Sequence, residues 1–397
     1  MKLQARSSGP LSGLVVVDLT RVLAGPYCTM ILADLGARVI KVEIPEKGDD
    51  ARQVGPFVAE GEEAISAYFF SINRNKESIA LDLKRAEDRV VFDRLLESAD
   101  ILVENFTPGT LSRLGYSWEK LHREHPRLVL ASISGFGQTG PYRDLPAYDM
   151  VVQAMGGLLS LTGEEGGVPT RVGVSIGDLA AGMFAAIGIQ AAVFERIRTS
   201  VGKHVDVAML DSQVALLENA LARLQVDKRT PAPIGSRHPS ITPFGLFQAL
   251  DGQLVVAAGN DAMFVKLCDA LGTVHLCDDP RFSTNAARCE HHSDLKRQID
   301  AALASRSVGS WLEHLRAAGI PCGSLNDVED VMSDPQVIAR GMLVELPIGR
   351  DRRLKVAGNP IQFAGSPPAR PIRAPRLDEH RSALLQELGL EGAATVL

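Results

Sequence analysis

No excess of positive charge runs through this sequence: 42 Lys and Arg stand against 48 Asp and Glu, a net charge of −6. Non-specific nucleic-acid binding needs clustered cations, so nucleic acid is not an expected partner. A local basic patch remains free to hold a small anion. Long apolar runs are also missing. The longest uncharged stretch, Leu179 to Phe194, has 16 residues and is rich in Ala and Gly. A membrane span needs about 20, so the stretch reads as a buried helix and no membrane is expected. The start, MKLQARSSGPLSG, has no apolar core of a signal peptide. Cysteine is sparse: five residues, at 28, 268, 277, 289 and 322, scattered and odd in number. That fits a reducing, cytoplasmic setting rather than a disulfide framework. No Cys pair has zinc spacing, and the adjacent histidines of Cys289-Glu-His-His292 cannot both point one way on a helix. No metal is expected.

What is present is an alternation of strands and helices. Gly13–Thr20, Ala37–Glu43, Ser78–Lys84, Ile101–Asn105, Leu128–Ser134 and His204–Met209 read as strands. Ala24–Leu35, Ala86–Ser98, Met150–Leu159 and Asp178–Arg198 read as helices, with another from Asp211. β-branched runs separated by helices predict an α/β chain with a mostly parallel sheet covered on both faces. Asp227–Pro243 carries four prolines and reads as a linker. Phe244–Ala258 then reads as a hairpin turning at Asp251-Gly252, followed by helices to about Ala318. Pro321–Asp334 reads as a second crossover. Short strands at Leu354–Ala357 and Ile361–Phe363, a Pro-rich tail and a helix near Arg381–Leu388 close the chain.

Several loops carry chemistry. The first strand is followed by Thr20-Arg-Val-Leu-Ala-Gly-Pro26 rather than G-x-G-x-x-G, which argues against a dinucleotide enzyme. Asn73-Arg-Asn-Lys76 reads as a polar loop, and Asn105-Phe-Thr-Pro-Gly109 follows a strand end with Arg113 one turn on. Together they place Lys76 and Arg113 near strand ends on one sheet edge, which suits a diphosphate. Gly173-Val-Ser-Ile-Gly177 matches the hydrolase elbow G-x-S-x-G, making Ser175 a candidate nucleophile, but no histidine stands in a setting that marks it as partner. Asp178 opens the long apolar helix. It reads as an N-cap. It also reads as a nucleophile that the helix N-terminus keeps ionised at pH 7. Residue chemistry alone leaves both readings open.

These stretches resemble the family III CoA-transferases, the group that includes formyl-CoA transferase and carnitine CoA-transferase. The resemblance rests on segments 9–43, 73–84, 99–118, 132–142, 148–163, 176–188, 204–212 and 318–342, among them NRNKESIALDLK, ADILVENFTPGTLSRLGYSW and IGDLAAGMFAAIG. It implies that Asp178 is the acyl acceptor and that Val22, Ala24, Lys76, Asn105, Phe106 and Arg113 hold coenzyme A. It also implies an interlocked homodimer, with crossovers near 227–243 and 321–340 threading the partner. The α-methylacyl-CoA racemases are similar over the same segments, but they place a catalytic His before the Asp matched by Asp149. Here that residue is Tyr148, and a phenol is a poor substitute for an imidazole base. Formyl-CoA transferase has Gln where this chain has Leu23, which argues against formate and oxalate. The nearest match to its closing loop is Ala257–Asp261, with Gly259-Asn260 at its centre.

The resulting expectation is a Rossmann-like large CoA-binding domain, residues 1–226 and 336–397, plus a smaller α+β domain, 227–335. The expected reaction passes CoA from an acyl-CoA, succinyl-CoA by preference, to a C4–C6 dicarboxylate through an aspartyl anhydride and thioester. The racemase and a Ser175 hydrolase are the alternatives. Arg21, Arg52, Arg171 and the Arg237-His238 pair are the candidates to hold a second carboxylate.

Overall fold

The computed structural model describes residues 3, 8–60, 63–349, 352–365 and 371–391. They form two compact units. One comprises Met1–Leu159, Arg171–Arg229 and Ile338–Leu397; the other comprises Ser160–Thr170 and Thr230–Val337.

The first unit is built on six strands: β1 (Val15–Asp18), β2 (Arg38–Glu43), β3 (Lys76–Ala80), β4 (Ile101–Glu104), β5 (Val129–Ser134) and β6 (His204–Ala208). Their order is β3-β2-β1-β4-β5-β6, and every pairing is parallel. The strands β1 to β5 are buried along their whole length. A parallel strand with apolar side chains on both faces needs cover on both. On one face Val16, Val39, Val103 and Ala131 pack against helices α1 (Ala24–Asp34) and α3 (Ile176–Thr199). On the other, Val17, Leu102 and Leu130 meet Phe92, Leu95 and Leu384 from helices Ala86–Ser98 and Arg381–Glu387. Each such large side chain contributes about 1.5–3 kcal/mol. The strand order reverses between β1 and β4. In open α/β sheets that switch point, at the carboxyl ends of the strands, is where ligands bind.

Helix α3 is long and apolar enough to cross a membrane by length and composition, yet one face of it packs into the core beside the sheet. Ala181, Ala185 and Ile189 are fully buried. At Gly182 a Cβ would stand 2.7 Å from the Ala24 carbonyl oxygen, so glycine sets how closely α3 and α1 approach. The buried Arg196 donates to the backbone carbonyls of Asp100 and Arg127 and to the Asp100 carboxylate, each at 3.0 Å. Where the sequence predicts one helix over Met150–Leu159 there are two, α2 (Asp149–Met155) and Leu158–Leu161. Gly156-Gly157 separates them, with Gly157 at φ +86°. Ile361–Phe363 is not a strand; the sheet that precedes it pairs only Leu343–Ile348 with Arg352–Ala357. Residues 366–370 of the Pro-rich tail lie outside the described residues.

In the second unit Phe244–Gln248 and Gln253–Ala257 form the hairpin, with Cys322–Ser324 antiparallel beside it. Helices Asp261–Leu271, His292–Leu303 and Val308–Ala317 enclose Phe247, Leu254, Trp311 and Leu315. Asn260 accepts the Met263 N–H at 2.9 Å and so caps the first of these helices.

Candidate active site

Two loops meet at the switch point. Asn105, just after β4, accepts the Arg21 N–H at 2.8 Å and donates to the Arg21 carbonyl at 2.7 Å, which locks the loop after β1 against the loop after β4. Glu104 accepts the Phe106 N–H at 2.7 Å and fixes the next residue. Val22 has φ +68°, a strained conformation for a β-branched residue that costs about 1–3 kcal/mol. It is held there by the Asp49 carboxylate, which accepts the N–H of Val22 and of Ala51 at 2.9 Å each. Asp49 in turn pairs with the buried Lys41 at 2.8 Å, and the Lys41 ammonium donates to the Thr20 carbonyl at 2.7 Å.

Lys76 belongs to this buried scaffold rather than to a polar loop. Asn73, Arg74 and Lys76 are all buried. The Lys76 ammonium donates to Asp18 at 3.1 Å, to the Pro26 carbonyl at 2.9 Å and to Asn73 at 2.9 Å, which uses all three of its N–H bonds. Desolvation pulls it down to about 8 despite the Asp18 charge. The sequence-based expectation of a phosphate contact is therefore corrected: this ammonium faces inward because the Asp18 carboxylate lies beneath it.

Above the scaffold lies a cavity of about 250 Å³, lined by Ile44, Leu81, Phe106 and Leu114 with Arg21 and Lys84 among the polar residues. Arg113 reaches it through Thr110, a lining residue, whose hydroxyl accepts from the guanidinium at 2.7 Å. Arg21 lies 5.8 Å from the Phe106 ring centre and 3.3 Å from Asp50. The sequence names Arg21 as a candidate for the acid's second carboxylate, not for this cavity, and Lys84 not at all. For Lys84 a signal existed: it ends the same apolar run as Lys76, at the end that opens to solvent.

Asp178 lies on the other sheet face. The sequence places it at the helix boundary, but α3 begins at Ile176 and Asp178 is its third residue. Ser175 at the boundary makes no side-chain cap bond. The capping function comes from another helix: the Asp149 carboxylate of α2 accepts the Gly177 N–H at 2.8 Å. A Cβ at Gly177 would stand 3.1 Å from that carboxylate and 2.8 Å from Val152, so glycine lets the carboxylate in. Gln153 donates to the second Asp149 oxygen at 2.7 Å. Freed from capping, the Asp178 carboxylate faces the Ala24 N–H, at the start of α1, which favours its charged form. Two helix N-termini thus converge on one carboxylate. Burial outweighs them: desolvation, then the Asp149 charge, push Asp178 up to about 7. Asp178 is therefore harder to ionise than a solvent-exposed carboxylate. Tyr68, which sequence reading also missed, faces the same group. Burial and the charges of Asp178, Asp49 and Asp149 push its phenol up to about 12, so it is a neutral hydrogen-bond donor.

Of the alternative catalysts, Tyr148 is 76% exposed, and among the described residues no histidine is bonded to Ser175. A half-buried carboxylate facing a helix N-terminus is, in its ionised form, suited to attack a carbonyl.

The family model of CoA-transferase family III matches residues 11–381. An acetyl-CoA:oxalate CoA-transferase from Acetobacter aceti is 45% identical, over 96% of this chain and 97% of that protein. A succinate–glutarate CoA-transferase from Agrobacterium fabrum is 40% identical over 96% of both. A succinyl-CoA:mesaconate CoA-transferase from Haloarcula hispanica is 41% identical over 96% and 97%. The crystal structure of a CAIB/BAIF family protein from Brucella suis superposes with TM-score 0.84 at 39% identity, covering 96% of this chain and 99% of that one. Sheet order, raised carboxylate and these matches agree: this chain belongs to CoA-transferase family III, and it is an enzyme that transfers coenzyme A.

Proposed function

We propose that the enzyme moves CoA from succinyl-CoA to a small dicarboxylate of the itaconate, mesaconate, citramalate, malate or glutarate kind, with Asp178 as nucleophile. The observation that carries the mechanism is the Asp178 carboxylate, raised to about 7 and facing the Ala24 N–H. Relatives named for glutarate, mesaconate and citramalate support the acid class.

Ionised Asp178 attacks the thioester carbonyl, and the Ala24 amide is placed to stabilise the oxyanion. Collapse expels CoA thiolate, a good leaving group with a thiol pKa near 8.5, and leaves a mixed anhydride. The thiolate attacks the aspartyl carbonyl and expels the first acid, giving an aspartyl thioester. The acceptor carboxylate attacks that thioester and expels thiolate again. The thiolate then attacks the acceptor's carbonyl in the new anhydride, and Asp178 leaves as carboxylate. No net proton moves, and no metal or ATP is required.

The CoA nucleotide is assigned to the cavity after β1 and β4. Phe106 lines it, Asn105 and Val22 hold the loops that border it, Arg113, Lys84 and Arg21 supply charge, and Lys76 supports the scaffold from beneath. The dimer implied by the resemblance is part of the proposal. Exposed Phe184, Ile187, Phe194 and Ile197 on α3 support it. A cytoplasmic setting fits the unpaired cysteines. The test is a panel of succinyl-CoA and acetyl-CoA against itaconate, mesaconate, malate, glutarate, oxalate, acetate and butyrate, read by mass spectrometry. Dicarboxylates of four to six carbons should win with succinyl-CoA. Acetyl-CoA with oxalate winning would replace this reading with that of the Acetobacter relative. Monoacids ahead by tenfold in kcat/KM would remove the dicarboxylate assignment and leave CoA transfer standing.

A further inference from the structure

We propose that Arg171 binds the carboxylate that does not react, on the succinyl donor and on the dicarboxylate acceptor alike; this rests on the function proposed above. The placement comes first. Arg171 Nη2 lies 3.7 Å from Asp149 Oδ2, while Asp149 Oδ1 takes the Gly177 N–H at 2.8 Å. Gly177 directly precedes the nucleophile. One carboxylate thus separates the Arg171 guanidinium from the first turn that carries Asp178. The segment is anchored, since the Val172 N–H donates to Gln153 Oε1 at 3.0 Å.

Availability comes second. The 3.7 Å pair is longer than a hydrogen bond, and the Arg171 side chain is 42% exposed. Among the described residues its guanidinium donates no hydrogen bond to protein. Asp149 does not depend on it, being bonded already by Gly177 and Gln153. Arg171 therefore offers an unused planar fork, the geometry that matches a carboxylate in a bidentate pair.

Each of the other candidate arginines stands closer to a carboxylate. Arg52 makes two bonds of 2.7 Å to Glu43 and stacks 3.7 Å from the Phe69 ring centre. Arg237 pairs with Glu165 in the second unit. Arg21 pairs with Asp50 beside the nucleotide cavity. A diacid entering this site brings a charge whose burial unpaired is expensive. In the proposed mechanism the donor acid leaves before the acceptor attacks, so both acids occupy the same place in turn and one arginine serves both.

The test compares glutarate with pentanoate, which has the same carbon number and no second carboxylate, as acceptors from succinyl-CoA. The intact enzyme should favour glutarate. In Arg171→Gln that preference should fall at least tenfold, through a raised KM for glutarate, and KM for succinyl-CoA should rise with it. Arg171→Lys should recover part of the preference. Thermal unfolding of both variants checks that they fold. An unchanged preference overturns the proposal. So does an equal loss for both acids, which would mean that Arg171 acts through Asp149 alone. An intact enzyme that serves no dicarboxylate overturns the function reading itself, and this proposal with it, so the two failures are told apart before any variant is made.

Discussion

At the scale of single residues, Asp178 is held in a state that helps chemistry and weakens the fold. Its carboxyl is raised from the ordinary 3.8 to about 7. The folded chain therefore holds this proton more tightly than the unfolded chain between those values, so stability falls as pH rises through that window. Asp178→Asn removes the charge and keeps the shape. It should abolish transfer, and at pH 8 it should be more stable than the parent by about 1–2 kcal/mol, a discounted share of the full shift because the group is partly exposed. Melting at pH 8 and pH 4 checks this, with the gain absent at pH 4. Hydroxylamine added during turnover should trap an adduct on Asp178 in the parent. Because attack needs the ionised form, kcat/KM for acyl-CoA should climb through about pH 7. Asp149→Asn keeps an acceptor for the Gly177 N–H but removes the neighbouring charge, so its acidic limb should move to lower pH. An unmoved limb would mean that burial alone sets the shift. Arg113 and Lys84 are exposed cations at the cavity. Replacing either with Ala should weaken CoA by about 1.5 kcal/mol, roughly tenfold in Kd, with little change in acid affinity. Calorimetry with CoA measures it.

At the scale of elements, the loops after β1 and β4 are stiffened by ions beneath them. Lys76 and Asp18 are both buried, and Asp18 also accepts from Thr20 and Thr29 hydroxyls at 2.5 and 2.7 Å. Breaking a buried pair from one side leaves an uncompensated charge and costs about 3–5 kcal/mol. Lys76→Ala should lower the melting temperature clearly, while Lys84→Ala should not, although the two residues are eight apart in one segment. Equal melting of the two variants, with CoA binding lost in Lys76→Ala alone, would return Lys76 to the phosphate site. The same scaffold explains how Val22 keeps a conformation that a β-branched residue resists: Asp49 takes its N–H, and Lys41 holds Asp49.

At the scale of the whole molecule, the proposed interlocked dimer makes one prediction. If each chain threads its partner, separation requires unfolding, so dilution alone should not release monomers. Sedimentation at nanomolar concentration should show a dimer, and a folded monomer there would contradict the threading. The exposed apolar side chains of α3 are the surface such a partner would cover.

The elements and the fold class are legible in the order of residues alone. Runs such as Val15–Asp18 and Arg38–Glu43 are buried on both faces, so their apolar content is visible without knowing their neighbours. The hairpin at Asp251-Gly252 was legible for a similar local reason, since its turn chemistry lies within the turn. The motif around Asp178 marks it as a candidate nucleophile, and family resemblance rather than residue physics favours catalyst over cap. The rest depends on contacts between distant positions. Asp149 caps α3 from 28 residues away, which moves the helix start and frees Asp178. Lys76 meets Asp18 across 58 residues, and that contact turns a loop cation into a buried strut. Lys84 and Arg21 meet at one cavity because parallel strands bring their carboxyl ends together. Hydrophobic periodicity reports whether a residue is buried. Which charge lies beside it, and therefore how it titrates and what it can bind, is set by the fold.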